Sequence, residues 1–189
     1  MLIFKESDLK GTFNYLKNFG FKNEFEVVMP GTNAKMSEMQ ALMGTQLLKY
    51  IEESITTHSK ITELYRHRLK EVPGIRLVPN PSPEIRHNHA YMPIEVDEHE
   101  FGMSCETLYK NLRKYNVYAR RYFYPLICDY ACYRSVSIKD PLTVARRVSD
   151  RILTLPIYND LQLSDVDAIC EIIMSLHLGK RYEPTDCNC

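Results

Sequence analysis

The chain has 189 residues with 24 basic and 24 acidic side chains, so its formal net charge is zero. This length suffices for one domain with an appendage, and 44% apolar with 25% charged residues is ordinary for a globular protein. The balanced charge argues against a nucleic-acid binder, which would carry a basic excess, and no apolar run approaches the roughly 18 residues that span a bilayer.

Cysteine usage bears on the compartment and on metal binding. Six cysteines occur and the N-terminus carries no secretory leader, which predicts reduced thiols in a cytoplasmic protein. Cys128 and Cys132 are four residues apart. No second ligand pair lies at the spacing of a zinc site, so the sequence predicts buried thiols here and no metal.

The N-terminal segment predicts a strand followed by a helix. Leu2, Ile3 and Phe4 form a short apolar run that suits a strand, and a helix is expected from Ser7 to about Gly20. A chain that opens directly on a strand is consistent with a piece cut out of a larger protein.

Residues 31–73 carry the clearest local signal. A turn-like loop at 31–35 precedes Ser37 and Gln40, which match a capping box for the free amides of a helix start. Apolar residues then recur at helical spacing up to residue 73, which predicts one long helix, bent near residues 56–57. These residues are Met36, Met39, Met43, Leu47, Ile51, Ile55, Ile61, Leu64, Tyr65 and Leu69.

The rest of the chain alternates short strands and helices. Strands are predicted at 75–78, 90–96, 117–123 and 153–155, and helices at 104–116, from Asp140-Pro141 to 152, and from Ser164 to 179. Residues 180–189 are predicted to form a loose tail. This order predicts an α+β domain with a small, mostly antiparallel sheet, which the long helix links to whatever precedes it.

The loop before the long helix is a candidate anion site. Helix N-termini attract phosphate through free amides and the helix dipole, and Asn33 and Lys35 add a donor and a cation. The alternative is a turn formed by Gly31 and Asn33 with Lys35 in solvent. The residues alone favour the turn.

A second candidate joins two arginines to three aromatic residues, Arg120, Arg121, Tyr122, Phe123 and Tyr124. Such a set can hold a phosphate and stack a base or sugar. Strand alternation predicts that the two arginines face opposite ways, so that one of them reaches a given ligand. A half-buried strand whose arginines reach solvent is an equal alternative.

His87, His89 and Tyr158 are weaker candidates. The two histidines lie two apart before a predicted strand, but a metal needs more ligands than this pair. We therefore interpret them as loop histidines with ordinary hydrogen bonds. Tyr158 follows a predicted strand, and packing is the expected role of such a residue.

Four segments match motifs of one family in the family's order. Residues 31–47 (GTNAKMSEMQALMGTQL) resemble G-x-N-x-[RK]-M-x-E-x-Q-A-x-x-G-x-x-Q-L, and residues 65–69 (YRHRL) resemble Y-x-x-x-L. Residues 120–126 (RRYFYPL) resemble RxYYPLH, and residues 153–158 (LTLPIY) resemble LSLPLY. The chain, except for its tail, therefore resembles the C-terminal part of the DegT/DnrJ/StrS family of pyridoxal-phosphate-dependent nucleotide-sugar aminotransferases.

The resemblance implies the small C-terminal domain of a fold-type-I aminotransferase. Residues 1–35 would be a remnant of the large cofactor-binding domain, 36–73 the linking helix, and 74–179 the small α+β domain. Such enzymes are homodimers that move an amino group, usually from glutamate, to a keto group on a nucleotide-linked deoxysugar. Pyridoxal phosphate, bound to a lysine as a Schiff base, is the cofactor.

The resemblance also implies roles for particular residues. Asn33 would reach across the dimer to the cofactor phosphate. Arg120, Arg121, Tyr122 and Tyr124 would lie near the sugar nucleotide. The resemblance of the aromatic motif favours a 4-keto-6-deoxyhexose as the amino-group acceptor.

The chain departs from the family pattern in two places. The Schiff-base lysine and the acidic residue at the pyridine nitrogen precede the segment that matches residues 2–4, and Ile127 replaces the family's histidine. We therefore expect the chain to hold no catalytic residue and to be inactive alone. Two alternatives stay open: a non-catalytic partner that completes the active site of a lysine-bearing chain, and a small nucleotide-binding module.

Overall fold

A computed structural model describes residues 5, 9–23, 25–79, 82, 84–130, 133 and 140–180. The chain divides into two compact units, Met1–Ile51 and Glu52–Cys189. The predicted strand at 2–4 and residues 181–189 of the predicted tail lie outside the described residues. Within the described ranges, every helix is too short or too polar to cross a bilayer.

The first unit contains α1 (Leu9–Leu16) and α2 (Glu38–Leu48), and neither helix buries a side chain. α2 begins at the predicted capping box. The Gln40 amide donates to the Ser37 hydroxyl, and the Ser37 amide donates to the Gln40 side chain. These reciprocal bonds determine where the helix starts.

The long helix predicted at 36–73 is interrupted by a turn at Lys49 and Tyr50. Beyond this turn, α3 runs over Ile51–Leu69. The prediction of a bend near residues 56–57 is therefore wrong in position. The amides of Lys49 and Tyr50 each donate to the carbonyl three residues back, both at 3.1 Å, which tightens the last turn and ends α2.

The second unit is built on a three-stranded antiparallel sheet in the order β1-β2-β3. The strands are β1 (Ile75–Leu77), β2 (Met92–Val96) and β3 (Ile152–Leu155). β2 alternates between buried and half-buried residues, as its sequence pattern predicts. All four residues of β3 are buried.

Helices of the second unit supply the rest of its core. They are α3, α4 (Glu98–Phe101), α5 (Cys105–Lys114), α6 (Thr143–Arg151) and α7 (Leu163–His177). Fully buried side chains from four of these helices join those of the sheet: Tyr65 and Leu69 from α3, Phe101 from α4, Leu108 and Leu112 from α5, and Ile173 from α7. The α+β prediction with a small antiparallel sheet is confirmed.

Several boundaries differ from the sequence prediction. The strand predicted at 117–123 is reduced to one bridge, because only Arg120 pairs with β3 before the chain turns at 122–123. α6 begins at Thr143, since the Asp140 carboxylate accepts the Leu142 amide at 2.7 Å in a turn ahead of the helix. Gln162 precedes α7 in place of the predicted cap Ser164.

An ionic cluster closes the end of β2. The Asp97 carboxylate accepts from Arg151 at 2.7 Å, Arg76 at 3.3 Å and the His99 amide at 3.1 Å. Burial raises the pKa of this carboxyl, but the amide and the two guanidinium groups outweigh burial and hold the pKa below its usual range. Asp97 also caps α4, so one side chain joins strand, helix and ion pairs.

Candidate functional site

The loop that carries Asn33 lies against the end of α1. A Cβ at Gly31 would lie 2.3 Å from the Gly20 nitrogen and 2.8 Å from the Leu16 carbonyl oxygen, so glycine permits this close approach. The Thr32 amide donates to the same Leu16 carbonyl at 2.8 Å. The Ala34 amide donates to the Lys17 carbonyl at 3.0 Å, so the backbone is held on either side of Asn33. Glycine is required at position 31 of the motif because a Cβ there would clash with the backbone of the α1 end.

The Asn33 side chain is exposed and forms no hydrogen bond with any described residue. Lys35 is engaged by contrast, since its ammonium donates to the Asn18 side chain at 3.1 Å and lies 5.4 Å from the Phe19 ring centroid. Of Asn33 and Lys35, Asn33 is the one available to a ligand.

The start of α2 is a poorer anion site than its position suggests. Its cap already occupies the Gln40 amide, and Glu38 places a negative charge in the first turn. The geometry therefore does not favour phosphate binding at this helix N-terminus. The side-chain amide of Asn33 is the better donor.

An open groove of about 1120 Å³ runs beside the same loop within the first unit. Lys10, Lys17 and Lys35 line it together with Thr32 and Ala34. Asn33 does not line the groove.

The second unit contains a cavity of about 610 Å³ between residues 115–122, the chain after β3, and α7. Five tyrosines line it: Tyr91, Tyr115, Tyr118, Tyr122 and Tyr158. Its charged lining residues are Arg120 and Asp165. We refer to it as the tyrosine cavity.

Arg120 is the cation of the tyrosine cavity. It bonds the Tyr122 hydroxyl, and its guanidinium lies 5.6 Å from the Tyr122 ring centroid. No carboxylate among the described residues pairs with it, and its side chain is exposed. Tyr122 in turn meets Tyr91 edge to face at 5.6 Å.

Arg121 faces the other way, as alternation predicts, and does not line the cavity. Its guanidinium donates to Glu106 at 2.8 Å and to the carbonyls of Ser149 and Asp150 at 3.1 and 3.0 Å. The ring of Tyr124 lies 3.7 Å from it. We call these five residues the Arg121 cluster.

The Arg121 cluster ties the aromatic segment to α5 and α6. The Ser149 hydroxyl donates to the Phe123 carbonyl at 3.1 Å, which anchors the turn after Arg121. Hydrogen bonds from Lys110 and from Arg121 hold the pKa of the Glu106 carboxyl below its usual range. Arg121 is thus engaged within the protein, whereas Arg120 is available.

The weaker candidates show no metal geometry. His87 and His89 meet edge to face at 4.6 Å, and the His89 amide donates to the His87 ring at 3.2 Å. Across the described ranges, no three His, Cys, Asp or Glu side chains converge as metal ligands. Cys128, predicted to be buried, is only half-buried and contacts Asp129 and Arg146. Cys132 lies outside the described residues.

Sequence reasoning missed most of the tyrosine cavity. Tyr91, Tyr115, Tyr118 and Asp165 received no functional role, and Tyr158, assigned to packing, is 51% exposed. These residues come from separate segments and share no motif. The signal in the sequence that could have indicated the cavity is that tyrosines occur at the ends of several predicted strands and helices.

Comparisons with known proteins identify relatives of this chain. The model of the DegT/DnrJ/EryC1/StrS aminotransferase family matches residues 1–174. A dTDP-4-amino-4,6-dideoxy-D-glucose transaminase of Escherichia coli is 40% identical over 176 residues, covering 92% of this chain and 47% of the relative. A protein of the same name from Shigella dysenteriae is 31% identical over 175 residues, with 93% and 47% covered.

Solved structures show the same fold. The crystal structure of DesI with its TDP-sugar product superposes with a TM-score of 0.82 at 28% identity, covering 93% of this chain and 44% of DesI. The chain therefore spans about half the length of the relatives that it matches. By the extent of these matches, the chain belongs to the DegT/DnrJ/EryC1/StrS aminotransferase family.

Proposed function

We propose that this chain is the C-terminal part of a transaminase that moves an amino group from glutamate to the keto group of a nucleotide-linked deoxysugar. Relatives named for dTDP-4-amino-4,6-dideoxy-D-glucose support a dTDP-linked 4-keto-6-deoxyhexose as the acceptor. The observation that carries the proposal is Asn33, an exposed and unengaged amide on a tightly held loop inside the matched region.

The described residues fit one end of pyridoxal phosphate. A neutral amide such as that of Asn33 can donate to phosphate oxygens, and nothing in its loop competes for it. When bound, the cofactor supplies the electron sink for the chemistry at the transferred nitrogen. We propose that the lysine and the acidic residue of the cofactor site belong to the part of the relatives' length that this match does not cover.

The residues of this chain would bind and orient. Asn33 would hold the cofactor phosphate of the opposite subunit in a homodimer. Arg120 and Tyr122 would bind the substrate, since both line the tyrosine cavity. Arg121 and Tyr124 would position that segment, because their contacts lie within the protein.

The test combines this chain with a lysine-bearing half that would complete the enzyme. The chain is co-expressed with the lysine-bearing half of the Escherichia coli relative, and glutamate-dependent formation of the dTDP-amino sugar is followed by chromatography. We expect turnover from the pair and none from this chain alone. Replacing Asn33 by alanine should reduce bound cofactor and turnover about tenfold or more, as losing one positioned donor to a charged group does.

Asn111→Ala is the matched control, since Asn111 lies on α5 and bonds Lys114. A well-folded pair that neither binds the cofactor nor transaminates would refute the proposal. Borohydride reduction of the chain with pyridoxal phosphate adds an independent check. One stoichiometrically labelled lysine would assign a cofactor site to this chain itself and overturn the assignment of the lysine to the other part.

A non-catalytic partner chain is the second candidate. Asn33 again favours it, because a residue that acts on another subunit's cofactor needs no catalytic group beside it. Adding the purified chain to a separately folded lysine-bearing protein distinguishes the two. Activation of the already folded lysine-bearing protein supports the partner chain, whereas activity that arises only when the two parts fold together supports the C-terminal part of one enzyme.

A further inference from the structure

A small polar cavity of about 270 Å³ lies in the second unit between α3 and the segment that leads into β2. Thr62 and Arg66 of α3 line it together with His87, Asn88 and His89, and we call it the α3 cavity. We propose that the α3 cavity binds a small oxyanion of the phosphate type, with Arg66 as its cation and the other four side chains as hydrogen-bond donors. The inference does not depend on the proposed transaminase function.

The size of the α3 cavity restricts the ligand to a few atoms. Pockets for drug-sized molecules usually measure about 300–1,000 Å³, and this cavity lies below that range. An inorganic ion with several acceptor oxygens fits both the small volume and a lining that is rich in donors.

The face of α3 that borders the cavity is polar at regular intervals. His58, Thr62 and Arg66 follow one another four residues apart, which places them on one side of the helix. Thr62 is 7% exposed, yet its hydroxyl has no hydrogen-bond partner among the described residues. By contrast, the hydroxyls of Thr45 and Thr56 each donate to the carbonyl four residues back at 2.8 Å. The Thr62 hydroxyl is therefore a buried donor left for a ligand.

Arg66 supplies a positive charge that no carboxylate among the described residues neutralises. One of its guanidinium N–H groups donates to the Val78 carbonyl at 2.8 Å, which fixes the half-buried side chain along the cavity wall. Arg68 differs, since it pairs with Asp167 and Glu171. A guanidinium held by one bond keeps further donors for an oxyanion, which it can bind at two points.

The opposite wall is held by two local hydrogen bonds. The His89 amide donates to Nδ1 of His87 at 3.2 Å, and the Ala90 amide donates to the side-chain oxygen of Asn88 at 3.1 Å. These bonds use an acceptor on each side chain, so the His87 ring keeps its Nε2–H and the Asn88 amide keeps its NH₂ group as donors. The segment therefore offers donors to the same cavity that contains Arg66.

His89 adds a titratable group to the α3 cavity. Its Nδ1 is buried and has no hydrogen-bond partner among the described residues. Burial and the neighbouring His87 and His58 hold the pKa of His89 below its usual value, and Glu63 on α3 opposes them only in part. A bound oxyanion would favour the charged imidazolium, so we expect the ligand to raise the pKa of His89.

The experiment follows the ring signals of the chain labelled with ¹⁵N-histidine by NMR, during titration with inorganic phosphate in a chloride buffer. We expect phosphate to shift the signals of His87 and His89, and to leave those of His99 and His177 in place, because neither lines the cavity. Sulfate, which keeps its charge while histidine titrates, should raise the pKa of His89. Arg66→Gln should weaken phosphate binding about tenfold or more, the loss expected for a hydrogen bond to a charged group.

Thr62→Val removes the hydroxyl and keeps the shape of the side chain. We expect it to weaken phosphate binding about 2- to 10-fold and to leave the urea midpoint unchanged or higher, because the hydroxyl has no partner in the free protein. Thr56→Val on the same helix and Arg147→Gln on α6 are matched controls outside the cavity, and neither should change the affinity for phosphate.

Phosphate that leaves both histidine rings unshifted across the millimolar range would overturn the inference, and the unpartnered atoms would then be assigned to ordered water. Equal phosphate affinity in Arg66→Gln, Thr62→Val and the unmodified chain would overturn it as well. Acetate, titrated in the same way, distinguishes the kind of oxyanion. Weaker binding of acetate supports the phosphate type, whereas tighter binding would assign the cavity to a carboxylate and refute the proposal.

Discussion

Arg121 provides the sharpest test of how the aromatic segment is held. Its side chain is 10% exposed, and its guanidinium binds one carboxylate, two carbonyls and one aromatic ring. Replacing Arg121 by glutamine keeps a polar side chain but removes the charge and the fork of donors. We expect the free energy of unfolding to fall by about 2–4 kcal/mol.

The magnitude follows from the individual contacts. The pair with Glu106 contributes at most about 1 kcal/mol, because that carboxylate is 46% exposed and screened by solvent. The two carbonyls lose a charged donor at about 1 kcal/mol each, and the stacking on Tyr124 adds about 0.5–1 kcal/mol.

Urea unfolding followed by circular dichroism measures this loss. Arg147→Gln, on the exposed part of α6, is the matched control and should stay within about 0.5 kcal/mol of the unmodified chain. Arg121→Lys should recover only part of the loss, since lysine keeps the charge without the fork. A loss below about 1 kcal/mol for Arg121→Gln would refute the view that this guanidinium anchors the segment.

Three further predictions concern the second unit. Gly74→Ala should lose about 2 kcal/mol or more in urea unfolding, because Gly74 has φ 75° and a Cβ there would lie 2.3 Å from a backbone nitrogen. Gly102→Ala, with φ 86° but open space, should lose less, and equal losses would contradict the steric argument. Burial raises the pKa of Cys105 to about 11 and of Cys170 to about 12, so mass mapping at pH 8 should find both unalkylated by iodoacetamide until urea unfolds the chain. The pKa of Asp97 is lowered by folding, so its contribution to stability is present above its unfolded pKa near about 4 and lost as pH falls through its folded pKa. The stability difference between the unmodified chain and Asp97→Asn should shrink accordingly in acid, and a difference independent of pH would count against the ionic account.

Local patterns predicted the parts of the fold that depend on neighbouring residues. The capping box at Ser37 and Gln40 is present, and the alternation of Met92, Ile94 and Val96 produced the buried face of β2. Hydrogen bonds within one helix turn and the pleat of a strand act over a few residues, so a sequence shows them directly.

Boundaries that depend on distant contacts were predicted less well. The segment 117–123 has strand character, yet a single residue pairs, because the following turn is tied to α5 and α6 instead of β3. The interruption at residues 49–50 carries no glycine or proline and could not be read from the sequence.

The family, the position of Asn33 in its motif, and the opposite facing of Arg120 and Arg121 can all be predicted from local sequence patterns. Which of the two arginines is engaged depends on long-range packing, because Glu106 and the carbonyls of α6 come from distant parts of the chain. Likewise, the rings of the tyrosine cavity converge only after the sheet, α7 and residues 115–122 have packed together. Sequence periodicity indicates which face of a helix or strand a residue occupies. Which residues pack against that face depends on the packing of the whole unit.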